Sequence, residues 1–130
     1  MTFVYIIISI VALFAGMQFF MIFSAKRAKG KKVAGLQGSL KSLEKNGSKG
    51  LVYFFSPSCR ACSMQTPVIK TLQKKYKNIF DVDISKDFQT ARIFGIKATP
   101  TTVVIKNGIV DDVFVGVKQQ QVLENYLNRR

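Results

Sequence analysis

The sequence has no histidine, no tryptophan and only two cysteines among its 130 residues. The missing histidine excludes the usual base of a cysteine protease and a zinc site with paired cysteine and histidine ligands. Ser63 follows the second cysteine, at the position where a c-type haem attachment motif needs histidine. These absences leave few kinds of chemistry open to the two cysteines.

Cys59 and Cys62 lie three positions apart in the stretch FFSPSCRACSMQTP, residues 54–67. A soluble part of about 100 residues can bury a core without disulfide support, so the chain has room for one domain. A secreted domain held together by disulfides would normally carry about four or more cysteines. The pair is therefore a candidate redox pair, half of a metal site, or two buried thiols.

Charged side chains are absent from the first 23 residues. The 21 residues from Phe3 to Phe23 are almost all apolar, and at about 1.5 Å per residue they span a hydrocarbon core of about 30 Å. A cleaved signal peptide is the alternative. It is disfavoured because the segment lacks a basic N-terminal region and a small-residue cleavage site, and its apolar run is too long. We therefore expect a transmembrane anchor over residues 1–23.

A basic segment follows this apolar run, in a chain whose formal net charge is +13. Its cationic residues are Lys26, Arg27, Lys29, Lys31 and Lys32. The positive-inside rule then predicts that the C-terminal side is cytoplasmic, and the cations suit anionic lipid headgroups. We interpret the chain as a single-pass protein of a bacterial cell membrane, with the opposite, extracytoplasmic orientation as the alternative. A nucleic-acid-binding arm is disfavoured by the position beside a membrane span.

The remaining sequence alternates between helix and strand patterns, which predicts an α/β class. Leu36, Leu40 and Leu43 form one helical stripe that ends near Gly47. Asn107-Gly108 is a strong hairpin signal. The predicted order is a helix over 36–47, a buried strand over 50–55, a helix over 59–76, a strand over 79–85, a helix over 86–95, a hairpin over 101–116 and a helix over 119–128. The predicted organisation is an anchor over 1–23, a basic juxtamembrane linker over 24–35 and one domain over 36–130.

These elements and four motifs together resemble the thioredoxin family. The motifs are SCRAC between the first buried strand and a helix, Pro67 five residues after the second cysteine, Thr99-Pro100 before a strand, and Val115-Gly116 after the hairpin. The resemblance covers about residues 36–130 and implies a central mixed β-sheet flanked by helices. It also implies that Pro100 is cis, that it faces the cysteine pair, and that Thr99 and Pro100 bind the substrate chain.

The chemistry of the pair depends on where the sulfurs lie. If the helix begins at Cys59, that thiolate faces unpaired backbone N–H groups and the positive end of the helix dipole. Arg60 adds a cation beside it. We therefore expect Cys59 to be the nucleophile, with a thiol pKa below the unperturbed value of about 8.5, and Cys62 to be the resolving thiol. Ser58 is a candidate cap for the helix.

The motif also departs from the commonest thioredoxin pattern. Ser58 stands in place of tryptophan, and Arg60-Ala61 in place of Gly-Pro. Tyr53 occupies the position of the buried carboxylate that assists the resolving thiol in many family members, and it is expected to be a packed strand aromatic. Asp81 and Asp83 are expected to be surface carboxylates at the end of a strand.

Three functions fit these observations. The first is a protein thiol-disulfide oxidoreductase that works with a separate redox partner, with no cofactor and no nucleic acid. The second is a metal carrier, since two thiolates suit Cu(I), whereas a closed zinc site needs further ligands. The third is a tethered binding module that uses the groove near Pro100 only to hold a partner. The direction of electron flow depends on the compartment that the domain faces.

Overall fold

The computed structural model describes residues 1–129, except for the side chain of Ala25. Its first element, helix α1, is the long apolar segment; a 3-10 helix and seven further elements then follow in the predicted order. The elements are α1 (Thr2–Lys26), the 3-10 helix (Gly38–Glu44), β1 (Lys49–Phe55), α2 (Cys62–Lys75), β2 (Ile79–Asp83), α3 (Phe88–Ile93), β3 (Thr101–Lys106), β4 (Ile109–Val115) and α4 (Gln120–Asn128).

Four strands form one mixed sheet in the order β2-β1-β3-β4. β1 runs parallel to β2 and antiparallel to β3, and β3 pairs antiparallel with β4. Asn107 and Gly108 connect β3 to β4 with φ angles of 56° and 72°. Positive φ at both positions is the geometry of the type I′ turn that asparagine-glycine predicts, so the hairpin prediction is confirmed.

Alternating side chains divide the domain core between the two faces of the sheet. One face, here the α3 face, packs against α3, the 3-10 helix and the chain before it; its buried members include Val33, Leu36, Leu40, Leu43, Val52, Phe54, Val103, Ile105 and Phe94. The other, the α2 face, packs against α2 and α4; its buried members are Leu51, Tyr53, Ile69, Leu72, Ile79, Val104 and Leu123. The α2 face lies beneath the helix that begins at the second cysteine.

Residues 30–33, here the docked segment, lie along the free edge of β4. The N–H of Gly30 donates to the carbonyl of Val110, and the N–H of Val33 donates to the carbonyl of Gly108, both at 2.8 Å. The side chain of Val33 is buried on the α3 face. Part of the expected linker therefore pairs with the sheet and contributes to the core.

The C-terminal end of helix α1 lies against the domain beside β4. Its large apolar side chains are all exposed, from 80% for Phe3 down to 40% for Met21. Thr2–Ser24 is long and apolar enough to cross a membrane, by length and composition. The last turns of α1 and the domain line one cavity, formed by Phe20, Met21, Ser24, Gly95, Ile96, Lys97, Ala98, Thr101, Val113 and Val115.

The helices differ from the sequence predictions in two details. The first is that the leucine stripe forms a 3-10 helix rather than an α-helix, although all three leucines are buried as expected. The second is that α2 begins at Cys62 rather than Cys59. On α2 and α4, the apolar side chains of Met64 and Val122 are 68% and 36% exposed. Gln65 takes the inward position on α2 because its amide finds backbone partners.

Candidate active site

The two cysteines are joined by a disulfide in the turn between β1 and α2. Their Cα atoms are 5.3 Å apart. Cys62 is the first residue of α2 and only 3% exposed, whereas Cys59 is half-buried in the preceding turn. The sulfur of Cys59 is therefore the one that a partner can approach more easily.

The sulfur of Cys59 lies at the N-terminal end of α2. It accepts a hydrogen bond from the backbone N–H of Cys62 at 3.2 Å. Ala61 holds the N-cap position and makes no side-chain cap within the described chain. The Ser58 hydroxyl pairs with Ser56 instead, at 3.0 Å, so the expectation that Ser58 caps the helix is wrong. The Cys59 sulfur meets a helix N–H of the kind that usually bonds a capping oxygen.

Thr99 and Pro100 lie at the same end of the sheet as the cysteines. Thr101 opens β3 opposite Phe54, near the end of β1 that leads to the cysteine turn. The Thr99-Pro100 peptide bond is cis, as the family resemblance implies. Pro100 is buried, and its carbonyl accepts the N–H of Gly116 at 2.8 Å. This end of the sheet therefore brings together the disulfide, the cis-proline and the chain that follows β4.

Tyr53 lies in the core beneath the first turn of α2. Its side chain is 1% exposed, and its hydroxyl is 3.0 Å from Thr66 Oγ1 and 3.3 Å from the carbonyl oxygen of Cys62. Thr66 Oγ1 also donates to that carbonyl, at 2.8 Å. Burial raises the pKa of Tyr53, so its phenol stays protonated near neutral pH and acts as a hydrogen-bond donor. Tyr53 is thus the expected strand aromatic, and it also holds the residue that carries the second sulfur.

Gln65 joins α2 to the chain after β4, a link that the sequence analysis missed. Its fully buried side chain accepts the N–H of Lys118 at 2.6 Å and donates to the carbonyl of Lys118 at 3.3 Å. The two bonds hold residues 116–118 beside α2. A glutamine on a helix carries no sequence signal for such a contact, because its partner is a backbone group 53 positions away.

Asp81 and Asp83 are bound to surface partners, as expected. Burial acts to raise the pKa of Asp81, but hydrogen bonds from Gln73 and Lys70 outweigh it and lower that pKa. The hydrogen bonds from Ser85 lower the pKa of Asp83. Within residues 1–129, the hydrogen bonds of these two carboxylates go to Lys70, Gln73 and Ser85 and not to the cysteine turn.

Metal-binding side chains do not cluster near the disulfide. Within the part of the chain that the structure describes, no group of three or more histidine, cysteine, aspartate or glutamate side chains could hold a metal ion. A closed zinc site would have to draw its remaining ligands from elsewhere, because such sites use four protein ligands in almost all cases.

Comparisons with known proteins agree with this geometry. The family model described as Thioredoxin matches residues 32–129. The chain is 31% identical over 87 residues to the thioredoxin of Bacillus subtilis, covering 63% of this chain and 84% of that protein. It is 30% identical over 84 residues to a disulfide bond formation protein of Brevibacillus choshinensis, covering 62% and 71%.

A solved structure shows the same fold. The reduced thioredoxin pre-protein of Schistosoma mansoni superposes with a TM-score of 0.57 at 38% identity, covering 68% of this chain and 87% of that one. This chain's mixed four-stranded sheet and flanking helices are therefore those of the thioredoxin fold. The chain belongs to the thioredoxin family, and it is a thioredoxin-like disulfide oxidoreductase.

Proposed function

We propose that this protein is a membrane-tethered oxidoreductase that exchanges disulfides with protein substrates through Cys59 and Cys62. The observation that carries the proposal is the Cys59 sulfur, half-buried, joined to Cys62 and bonded to an N–H at the start of α2. In the reduced protein, that N–H and the helix dipole favour a thiolate at Cys59. Arg60, exposed between the cysteines, adds positive charge and modulates the site.

The first step is the attack of the Cys59 thiolate on one sulfur of a substrate disulfide. A new bond forms between Cys59 and that sulfur, while the substrate S–S bond breaks. The other substrate sulfur leaves as a thiolate, which takes a proton from solvent. The product is a mixed disulfide between Cys59 and the substrate.

The second step is the attack of Cys62 on the mixed disulfide. The Cys62 thiol loses its proton to solvent and bonds to the Cys59 sulfur, and the substrate leaves as its second thiol. Two electrons have then passed from the cysteine pair to the substrate. Tyr53 and Thr66 fix the Cys62 backbone during this step, since both reach its carbonyl oxygen. A separate thiol donor must reduce the pair before the next cycle.

Thr99 and Pro100 form the proposed substrate-binding edge. Thr99 is half-buried beside the buried Pro100, at the end of the sheet that carries the disulfide. An extended substrate segment can lie against the backbone there and present its sulfur to Cys59. Pro100→Ala is expected to change which partners form mixed disulfides, provided that the variant still folds.

The tether is proposed to be residues 1–23, followed by the basic segment within 24–35 and the domain over 36–130. The uncharged length of α1 and the cations that follow it support a single span with the domain on the cytoplasmic side. A reducing compartment favours disulfide reduction by the domain. In intact cells, Cys59 is then shielded from a membrane-impermeant maleimide, and it is labelled after permeabilisation. Labelling in intact cells would instead support the extracytoplasmic orientation.

Trapping of the intermediate tests the function. Cys62→Ser removes the resolving thiol, so mixed disulfides at Cys59 should accumulate in the native membrane as complexes that reductant dissolves. The double variant Cys59→Ser, Cys62→Ser is the matched control and should form none. The same complexes from the double variant, or none from Cys62→Ser, would contradict the proposal.

A further inference from the structure

We infer that the substrates of this cysteine pair are proteins whose disulfides lie at the membrane surface, in the headgroup layer beside α1. The inference rests on the proposed span and exchange activity, and it narrows their substrate class. Two separate features support it: the direction of the docked segment along β4, and the position of the last turns of α1.

The direction of the docked segment decides which end of the domain meets the membrane. Lys32 pairs antiparallel with Ile109, near the start of β4. In an antiparallel pair, the chain that precedes the docked segment runs toward the end of β4. β4 ends at Val115, and the next residue hydrogen-bonds to the carbonyl of Pro100. The chain thus enters the domain from the end of the sheet that carries the cis-proline and the disulfide.

The connection between α1 and the docked segment is short and turned. The N–H of Lys29 donates to the carbonyl of Lys26, and the N–H of Lys31 donates to the carbonyl of Ala28, both at 3.1 Å. Even fully extended, residues 27–30 would reach only about 14 Å. A domain of about 100 residues has a radius of gyration of about 13 Å, so this tether cannot carry the active-site end far from the membrane.

The last turns of α1 lie beside the loop that leads to Pro100. Phe20 and Met21 line one cavity with residues 95–98, which directly precede Thr99. The 25 residues of α1 measure about 37 Å, which exceeds a hydrocarbon core of about 30 Å. The end of α1, and with it this loop, therefore lies where the hydrocarbon meets the headgroups.

Two exposed apolar side chains flank the site at this end. Met64 on the first turn of α2 is 68% exposed, and Val117, which follows β4, is 40% exposed. The disulfide of a large soluble protein would have to enter between the domain and the membrane. A cysteine just outside a membrane span of another protein already lies in the headgroup layer, at the same depth as the site. The site therefore selects substrates by their distance from the membrane.

Fluorescence quenching can measure that distance without using activity. In one sample, the full-length Cys62→Ser variant carries a fluorophore on Cys59; in the other, a cysteine-free variant carries it at Asn46→Cys. Both proteins are placed in phosphatidylcholine–phosphatidylglycerol vesicles that contain headgroup-labelled quencher lipid. The fluorophore on Cys59 should be quenched several-fold more than the one at position 46. Asn46 is exposed and precedes Gly47, which bonds to the hairpin residue Asn107 at the other end of the sheet. Equal quenching at both positions would overturn the inference.

A lengthened tether tests the consequence for substrates. A flexible Gly/Ser insert of about 20 residues between Ala28 and Lys29 adds a reach of about 25 Å. The matched control carries the same insert after Met1, where the distance between α1 and the domain is unchanged. Single-turnover oxidation of the reduced, vesicle-bound proteins is then followed with a small soluble disulfide and with a peptide disulfide attached to a lipid headgroup by a short spacer.

The insert at Ala28 should slow the reaction with the lipid-attached peptide roughly tenfold or more relative to the control, because effective concentration falls with tether length. Both variants should react equally with the small soluble disulfide. Equal rates with the lipid-attached peptide, while the small disulfide still reacts, would overturn the inference and leave the proposed function intact. Failure of the small disulfide to react with the control would overturn the proposed function itself.

Discussion

The two faces of the sheet use side chains of the same strands but bury different chemistry. The α3 face buries a cluster of apolar side chains, such as Leu43 and Phe54, and its buried hydroxyls, on Thr90 and Thr101, bond to groups three positions away along the chain. The α2 face buries the Tyr53 hydroxyl and the Gln65 amide among its apolar residues. The Tyr53 hydroxyl contacts the first turn of α2, and the Gln65 amide bonds to Lys118 in the chain after β4.

This difference separates stability from positioning. Apolar burial is non-directional, so it stabilises the α3 face without holding any one atom in place. Hydrogen bonds need defined distances and angles, so those on the α2 face orient the first turn of α2 and residues 116–118. Substitutions in the apolar cluster of the α3 face should therefore change the free energy of unfolding alone, whereas substitutions of Tyr53 and Gln65 on the α2 face should also change exchange kinetics.

The largest effect is expected at the disulfide itself. Cys59→Ser removes the attacking sulfur, so reduction of a small disulfide should fall to the uncatalysed rate. The matched control is Ser58→Ala, an exposed hydroxyl that does not cap α2, and it should keep nearly full activity. Absorbance of the released thiol measures both variants. Retained activity in Cys59→Ser would assign the attack to Cys62.

A core substitution on the α3 face tests whether its apolar cluster affects stability alone. Leu43 is 1% exposed, and Leu43→Ala should lower the free energy of unfolding by about 2–5 kcal/mol, the usual cost of a buried leucine. Denaturant titration gives this value. The exchange rate per folded molecule should not change, and a lower rate under fully folded conditions would contradict the separation of the two faces.

Gln65 tests whether the hydrogen bonds of the α2 face affect exchange kinetics as well as stability. Gln65→Ala leaves the N–H and carbonyl of Lys118 without their side-chain partner, and a buried unpaired group costs about 1–3 kcal/mol. The variant should also react more slowly with peptide disulfides, because residues 116–118 lie beside Pro100. Gln89→Ala, exposed on α3, is the control. Loss of stability without any kinetic change would show that this contact is only structural.

Tyr53→Phe removes one hydroxyl from the network beneath Cys62. We expect a loss of about 0.5–1.5 kcal/mol in the free energy of unfolding, the net value of one hydrogen bond. The second step should slow by a small factor, since the Cys62 carbonyl keeps its bond from Thr66. Stopped-flow decay of a preformed mixed disulfide reports this step. An unchanged decay rate in Tyr53→Phe would show that the Tyr53 hydroxyl has no role in the second step.

The smallest effect concerns acid stability. The pKa of Asp81 is lowered in the folded protein, so its contribution is present above the unfolded pKa of about 3.9 and lost as pH falls through the folded value. Asp81→Asn should therefore cost about 0.2–1 kcal/mol near neutral pH and nothing well below pH 3, because exposed ion pairs contribute little. Unfolding curves from pH 7 to pH 2 measure the difference. An equal cost at both ends would exclude the ionised carboxylate as its source.

Much of the fold follows from local patterns in the chain. The apolar runs of β1 and β3, the Asn107-Gly108 turn and the motifs around Cys59 and Thr99-Pro100 all indicate their structures from short stretches of sequence. The apolar pattern of the helix predicted over 59–76 does not reveal that Gln65 is buried and Met64 exposed, because the partner of Gln65 is a backbone group 53 positions away. The start of α2 was predicted three residues early, because the cysteine turn has helix-compatible residues.

The sequence by itself determined the family, the uncharged N-terminal segment and the spacing of the two cysteines, because each motif and each run depends on residue type and on neighbours within a few positions. Only the tertiary structure decided that residues 30–33 pair with β4, that Tyr53 reaches the Cys62 carbonyl and that Gln65 holds Lys118. Those contacts join backbone and side-chain groups that are far apart along the chain. Hydrogen bonding between such groups depends on distance and angle in the folded protein, which residue identity alone does not specify.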